Sequence, residues 1–131
     1  MILQSFINYF SKANAAYISA YRNHINEHEF EVKVEYLAAP EITNKVLILV
    51  DPMLATGKSL ELSYQAIIKN GTPSKVIIAA LIASEEGLAY LTKILPNADI
   101  YIAALDPQLD ENSYIVPGLG DAGDLCFGKK L

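Results

Sequence analysis

Cysteine is almost absent: Cys126 stands alone in 131 residues. No intrachain disulfide can form, and neither a paired-cysteine zinc site nor a disulfide framework is available. Positive charge is sparse as well. Against 15 Asp and Glu there are 10 Lys and Arg, giving a net charge of -5, and they form no cluster. That excludes a general binder of nucleic-acid backbones, whose affinity comes from grouped basic residues. The opening residues, through Phe10, lack both a basic stretch and a long apolar run, so they read as neither secretory signal nor membrane span. A soluble protein of the reducing cytoplasm, with no nucleic-acid and no membrane partner, is the expectation these absences leave.

What is present suits one globular domain over residues 1–131: 52% of the residues are apolar and 19% charged. From Lys45 onward an apolar run, a turn, a helical stretch and another apolar run recur, the order of βαβ units. Val46 to Val50 is short, continuously apolar and β-branched, as in a strand buried on both faces of a parallel sheet, and Asp51 and Pro52 end it. Ser59 to Lys69 places Leu60, Tyr64, Ile67 and Ile68 at helical spacing before the stop signal Asn70-Gly71. Val76 to Ile82 is the next strand. Glu85 to Ile94 is the next helix, with Leu88, Leu91, Ile94 and Leu95 inward, and Ile100 to Ala104 is a further strand. Ahead of this core, Ala15 to Tyr21 reads as a strand, and Phe30 to Tyr36 alternates apolar and charged residues. The pair predicts an antiparallel β-arm over about 15–38.

Ligands of open parallel sheets gather beyond the carboxyl ends of the strands, where Asp51-Pro-Met-Leu-Ala-Thr-Gly-Lys-Ser59 falls between a strand and a helix. Thr56, Gly57, Lys58 and Ser59 enter the helix, whose free N–H groups and positive dipole end favour a phosphate. Asp51 suits ribose hydroxyls or a hydrated cation. An ATP-binding P-loop is excluded, since Pro52 stands where that motif needs glycine. A plain strand-to-helix turn capped by Asp51 and Ser59 fits the spacing equally well. His24 and His28 stand four apart in a polar stretch without a third ligand and read as solvated. Cys126 reads as packing.

Asp51-Pro-Met-Leu-Ala-Thr-Gly57, followed by Ser59, resembles the phosphoribosyl-pyrophosphate loop of the type I phosphoribosyltransferases, in the variant of the uracil phosphoribosyltransferases. Tyr114-Ile-Val-Pro-Gly-Leu-Gly-Asp-Ala-Gly-Asp124, with Phe127-Gly128, is similar to that family's uracil-binding segment, and the two motifs stand in the family's order. Tyr21-Arg22-Asn23 and Ala103-Ala-Leu-Asp106 extend the likeness. The resemblance implies an α/β parallel-sheet phosphoribosyltransferase-type fold with an antiparallel β-arm and a C-terminal base-binding segment at 114–128. It implies transfer of phosphoribosyl from phosphoribosyl pyrophosphate to uracil, giving uridine monophosphate (UMP) and pyrophosphate, with Mg2+ carried in on the diphosphate and no metal ligated by the protein alone. It also implies a homo-oligomer, a dimer or higher.

Residue by residue, the resemblance assigns the phosphoribosyl group to Asp51, Pro52, Met53, Leu54, Ala55, Thr56, Gly57, Lys58 and Ser59. Arg22 falls to the diphosphate, a role its forked donors suit, and Asp121 faces the phosphoribosyl group. Asp51, Arg22 and Asp121 are thus the candidate catalytic residues. Uracil falls to Ile115, Gly120, Asp121 and Ala122. Physics agrees here: Gly118, Gly120 and Gly123 let backbone approach a flat ligand, and main-chain groups can match the acceptor, donor, acceptor edge of a pyrimidine.

This chain departs from the family in carrying Lys58 in place of a glycine and Leu125 in place of a basic residue. Family chains are also longer at the amino end. Ile2-Leu3-Gln4 resembles the strand before their pyrophosphate loop, and Ser5 to Phe10 the helix after it, so that loop is expected to be missing. The alternative function is therefore a catalytically weak or inactive module or subunit that binds UMP or uracil.

Overall fold

Three parallel strands carry the fold, and their carboxyl ends fall at one edge of the sheet. The computed structural model describes residues 2–24, 30–120, 125 and 128. The strands are β3 (Val46–Leu54), β4 (Lys75–Ser84) and β5 (Asp99–Asp106), hydrogen-bonded in the order β3-β4-β5. Before them come helix α1 (Ile2–Tyr9) and the antiparallel pair β1 (Tyr17–His24) and β2 (Phe30–Ala38). Helix α2 (Lys58–Ile67) links β3 to β4, and α3 (Glu85–Ile94) links β4 to β5. Two short strands, β6 (Gln108–Leu109) and β7 (Ile115–Val116), pair antiparallel after β5.

The core forms because the apolar runs of the strands meet the apolar stripes of the helices. Leu47, Leu49, Leu54 and Ile78 from the sheet pack with Leu60 and Ile67 of α2 and Leu91 of α3. Burying a side chain of this size contributes ~1.5–3 kcal/mol relative to leaving it exposed. Helix α3 starts where the sequence places it. Ser84 accepts the Gly87 N–H with its side chain, Glu85 and Glu86 occupy the first turn and Lys93 the last, all favourable to the helix dipole. Lys75 and Asp99 form an ion pair at 2.6 Å that ties the starts of β4 and β5 together.

The β-arm exists as expected, but among the described residues it forms its own two-stranded sheet and rests on α2 instead of extending the main sheet. Four further expectations are corrected. β3 does not end at Asp51 and Pro52 but runs to Leu54. Among the described residues it pairs with β4 alone, so the proline occupies an edge strand, where its missing N–H costs little. Helix α2 begins at Lys58, one residue earlier than Ser59, and gives way at Ile68 to a 3-10 turn that leaves Ile68 exposed. Arg22 does not follow β1 but lies within it, opposite Val32. Ile2-Leu3-Gln4 is helical, not a strand: Ile2, Leu3, Phe6, Ile7 and Phe10 recur at helical spacing, and the Phe6 and Phe10 rings stack at 6.3 Å.

Candidate functional site

Strand register brings the ends of the three parallel strands to one edge. Leu54 stands opposite Ala83 at the end of β3, and Ser84 stands opposite Asp106 at the ends of β4 and β5. The loop from Ala55 to Gly57 leaves β3 at this edge and turns into α2, as expected for a ligand site at the carboxyl ends of parallel strands.

Asp51 is half-buried near the end of β3, and its Oδ1 accepts the Met53 N–H at 3.0 Å. Burial pushes its carboxyl above the ordinary value, and the bond from Met53 partly offsets that rise. Asp51 therefore does bond its own turn, while its second carboxylate oxygen is not used in that bond. Gly57 caps α2 with φ 78 and without a side-chain bond, so Ser59 is not the cap. A Cβ at Gly57 would approach Tyr90 Cδ1 at 3.0 Å and Leu91 Cγ at 3.1 Å. Glycine is needed twice over, for left-handed backbone and for contact with α3. Lys58 is exposed and Ser59 half-buried at the first two helical positions, the end of a helix whose dipole favours an anion.

Ile115, within the segment 114–128 expected to bind the base, is buried in β7 at 1% exposure. The Val116-Pro117 peptide is cis, and Gly118 and Gly120 follow with φ 27 and 72. A Cβ at Gly118 would lie 2.1 Å from the Ile115 carbonyl oxygen, so that glycine folds the turn back on itself. At Gly120 a Cβ would meet nothing within 4 Å among the described residues. Asp121 and Ala122 lie outside the described residues, as do His28 and Cys126. For Arg22 the strand position is established, one face of the arm, and nothing further.

Three residues that frame this site carry no ligand motif of their own. Ser84, fully buried, donates its hydroxyl to the Ala55 carbonyl at 2.6 Å and accepts the Gly87 N–H at 2.9 Å. A Cβ at Gly87 would sit 2.1 Å from that same carbonyl oxygen. Asp106 Oδ2 accepts the Gly118 N–H at 3.1 Å. A serine between an apolar strand and two glutamates is a helix N-cap signal that sequence reading could have taken up. Its bond to Ala55, 29 residues away, has no sequence signal. The phenol of Tyr90 bonds Glu61 at 2.5 Å and joins α3 to α2, and that bond is the chief cause of a raised Tyr90 pKa.

A cavity of about 600 Å³ lies elsewhere, between α1, β3 and α2. Its lining, including Ile2, Phe6, Phe10, Ile18, Leu47 and Leu49, is mostly apolar and includes no residue of either ligand segment.

Residues 2–129 match the family model described as uracil phosphoribosyltransferase. A uracil phosphoribosyltransferase of Porphyromonas gingivalis is 52% identical over 127 residues, covering 96% of this chain and 59% of the relative. One of Lacticaseibacillus paracasei is 45% identical over 120 residues, covering 90% of this chain and 55% of the relative. A solved protein structure from Aquifex aeolicus superposes with a TM-score of 0.87 at 32% identity, covering 96% of this chain and 59% of that one. The chain thus spans somewhat over half the length of the relatives it matches.

Proposed function

Because the chain belongs to the uracil phosphoribosyltransferase family, we propose that it binds phosphoribosyl pyrophosphate and uracil and joins them to give UMP and pyrophosphate. The observation that carries this reading is the register of β3, β4 and β5, which sets the Asp51 to Ser59 loop and the tether of the base segment at one sheet edge. N1 of uracil attacks C1 of the ribose as the bond from C1 to pyrophosphate breaks, and the N1 proton passes to the departing pyrophosphate or to water, so no protein nucleophile is required. The work of the site is alignment of two reactants and stabilisation of the departing charge.

In this reading the N–H groups of Thr56, Gly57, Lys58 and Ser59 receive the 5′-phosphate at the start of α2, and Asp51 accepts from the ribose hydroxyls. Pro52, Met53, Leu54 and Ala55 form the wall between them. Arg22 binds the diphosphate with its forked donors, and Asp121 faces the ribose. Main-chain groups of Ile115, Gly120 and Ala122 read the uracil edge. Magnesium enters as part of the diphosphate substrate, held by phosphate oxygens and water, the usual coordination of that ion in phosphate sites. A cytoplasmic location and a homo-oligomeric state belong to the same proposal. No helix among the described residues is long and apolar enough to cross a membrane.

A second reading is favoured by Lys58 and Leu125, the two departures at the site: a module that binds UMP with little or no turnover. Calorimetric titration of the purified chain with UMP, paired with an assay of UMP formed from uracil and phosphoribosyl pyrophosphate, separates the two. Turnover of ~1 to 10³ per second supports the enzyme. Binding without turnover supports the module, and absence of both binding and turnover overturns the whole assignment.

A further inference from the structure

Ser84 and Asp106 are partners in the β4-β5 register, and each reaches out of the sheet to a different ligand segment. Ser84 holds the Ala55 carbonyl of the phosphoribosyl loop, and Asp106 holds the Gly118 N–H of the base segment. We infer that this strand-end pair positions the two halves of the site, Ser84 setting the phosphate half and Asp106 the base half, without either side chain touching substrate. The inference rests on the function proposed above.

The reason on the phosphate side is the planarity of the peptide group. The Ala55-Thr56 bond is trans, the one cis peptide among the described residues being Val116-Pro117. In a trans peptide the carbonyl and the following N–H point in opposite directions. A buried hydroxyl that draws the Ala55 carbonyl toward the start of α3 therefore turns the Thr56 N–H the other way, out of the core and into the phosphate position. Gly87 is what lets α3 come close enough, since any Cβ there would overlap the same carbonyl oxygen. Ser84 is also satisfied on both sides, donating once and accepting once. Rotation of the Ala55-Thr56 peptide would strand a buried hydroxyl.

On the base side, the Gly118 turn is already folded against the Ile115 carbonyl, and the Asp106 carboxylate fixes its N–H from the strand below. Adjacent strands are held ~4.8 Å apart by their hydrogen bonds. Two tethers on one register pair consequently fix the offset between phosphate and base, which alignment of C1 with N1 demands.

The test is a pair of calorimetric titrations, UMP and uridine, on the full chain and its variants. Ser84→Ala should lower UMP affinity about five- to tenfold, the size of one hydrogen bond, while leaving uridine affinity unchanged. Ser84→Thr, which keeps the hydroxyl, should restore UMP binding. Should the alanine variant not fold, Ser84→Cys, a weaker donor, should show the same selective loss. Asp106→Ala should lower affinity for UMP and uridine by the same factor, and Asp106→Asn, which keeps an acceptor oxygen, should recover most of it. A general structural role would instead lower both ligands equally at both positions, and that result, or unchanged binding in every variant, overturns the inference. A parent chain that binds neither UMP nor uridine overturns the proposed function itself, an outcome distinguishable because it appears before any substitution.

Discussion

Residues 55 to 57 rest on a fully buried hydroxyl, on Gly87 and on the side chains of Tyr90 and Leu91, whereas residues 118 to 120 hang from the carboxylate of Asp106 and reach Gly120, which meets no other group within 4 Å among the described residues. On the function proposed above, the phosphate half of the site is built into the core, and the base half is suspended beside it. The contrast follows from ligand chemistry. A phosphate is met by N–H groups that must all point one way before it arrives, which calls for support from beneath. A flat base is met by backbone at close range, which calls for an absence of side chains. Substitutions should therefore cost stability in the first region and binding in the second.

Gly87→Ala should produce the largest effect. The new methyl would lie 2.1 Å from the Ala55 oxygen, and overpacking of this kind costs ~1–3 kcal/mol or more, here compounded by displacement of the loop. Urea unfolding should show the lowered midpoint, and titration should show weaker UMP binding. A variant with parental stability would mean that the loop yields easily and that the core does not support it.

Gly120→Val probes the other half. The side chain meets no neighbour among the described residues, so stability should fall only by the cost of left-handed backbone at φ 72, ~1–2 kcal/mol. Affinity for uracil and UMP should be lost through exclusion of the base. Parental affinity in this variant would remove Gly120 from the site, and a stability loss beyond that of Gly87→Ala would reverse the comparison.

Asp51→Asn should have the smallest effect on stability, and of opposite sign. The carboxyl has an ordinary value of 3.8, which burial raises in the folded chain. Its contribution to stability is therefore fully present below 3.8 and is lost as the pH rises through the raised folded value. At neutral pH the parent bears a desolvated charge that asparagine lacks, while the acceptor for Met53 is kept. The variant should thus melt slightly above the parent at neutral pH, with the gain vanishing as the pH approaches 3.8. Its affinity for UMP should fall, because ribose hydroxyls lose a charged acceptor. Scanning calorimetry across pH checks the first statement and titration the second. A stability gain that persists in acid would assign the effect to something other than Asp51 ionisation.

Much of the fold was legible along the chain because its signals are local. The β-branched run Val46 to Val50 and the helix Glu85 to Ile94, with both of its ends, follow from residue type and spacing. The errors arose where a neighbouring element decides. Pro52 ends a strand by its own preference, yet β3 continues through it because its paired edge is the one facing β4. The first residues of α1 are apolar enough for a strand, and their spacing against β3 settles them as helix.

The sequence by itself determined the apolar pattern of three parallel strands, the loop Asp51 to Ser59, the glycines Gly118 and Gly120 that leave their backbone without side chains, and the family in which these motifs occur together. It carried nothing of which backbone groups face the ligand. That was decided by tertiary structure, through register: only when β4 and β5 lie side by side do Ser84 and Asp106 become neighbours, one holding a carbonyl 29 residues behind it and the other an N–H 12 residues ahead. Hydrogen-bonding groups of the main chain are the same at every residue except proline. Their direction at a site is consequently written in the contacts that hold the peptide planes and not in the residues that carry them.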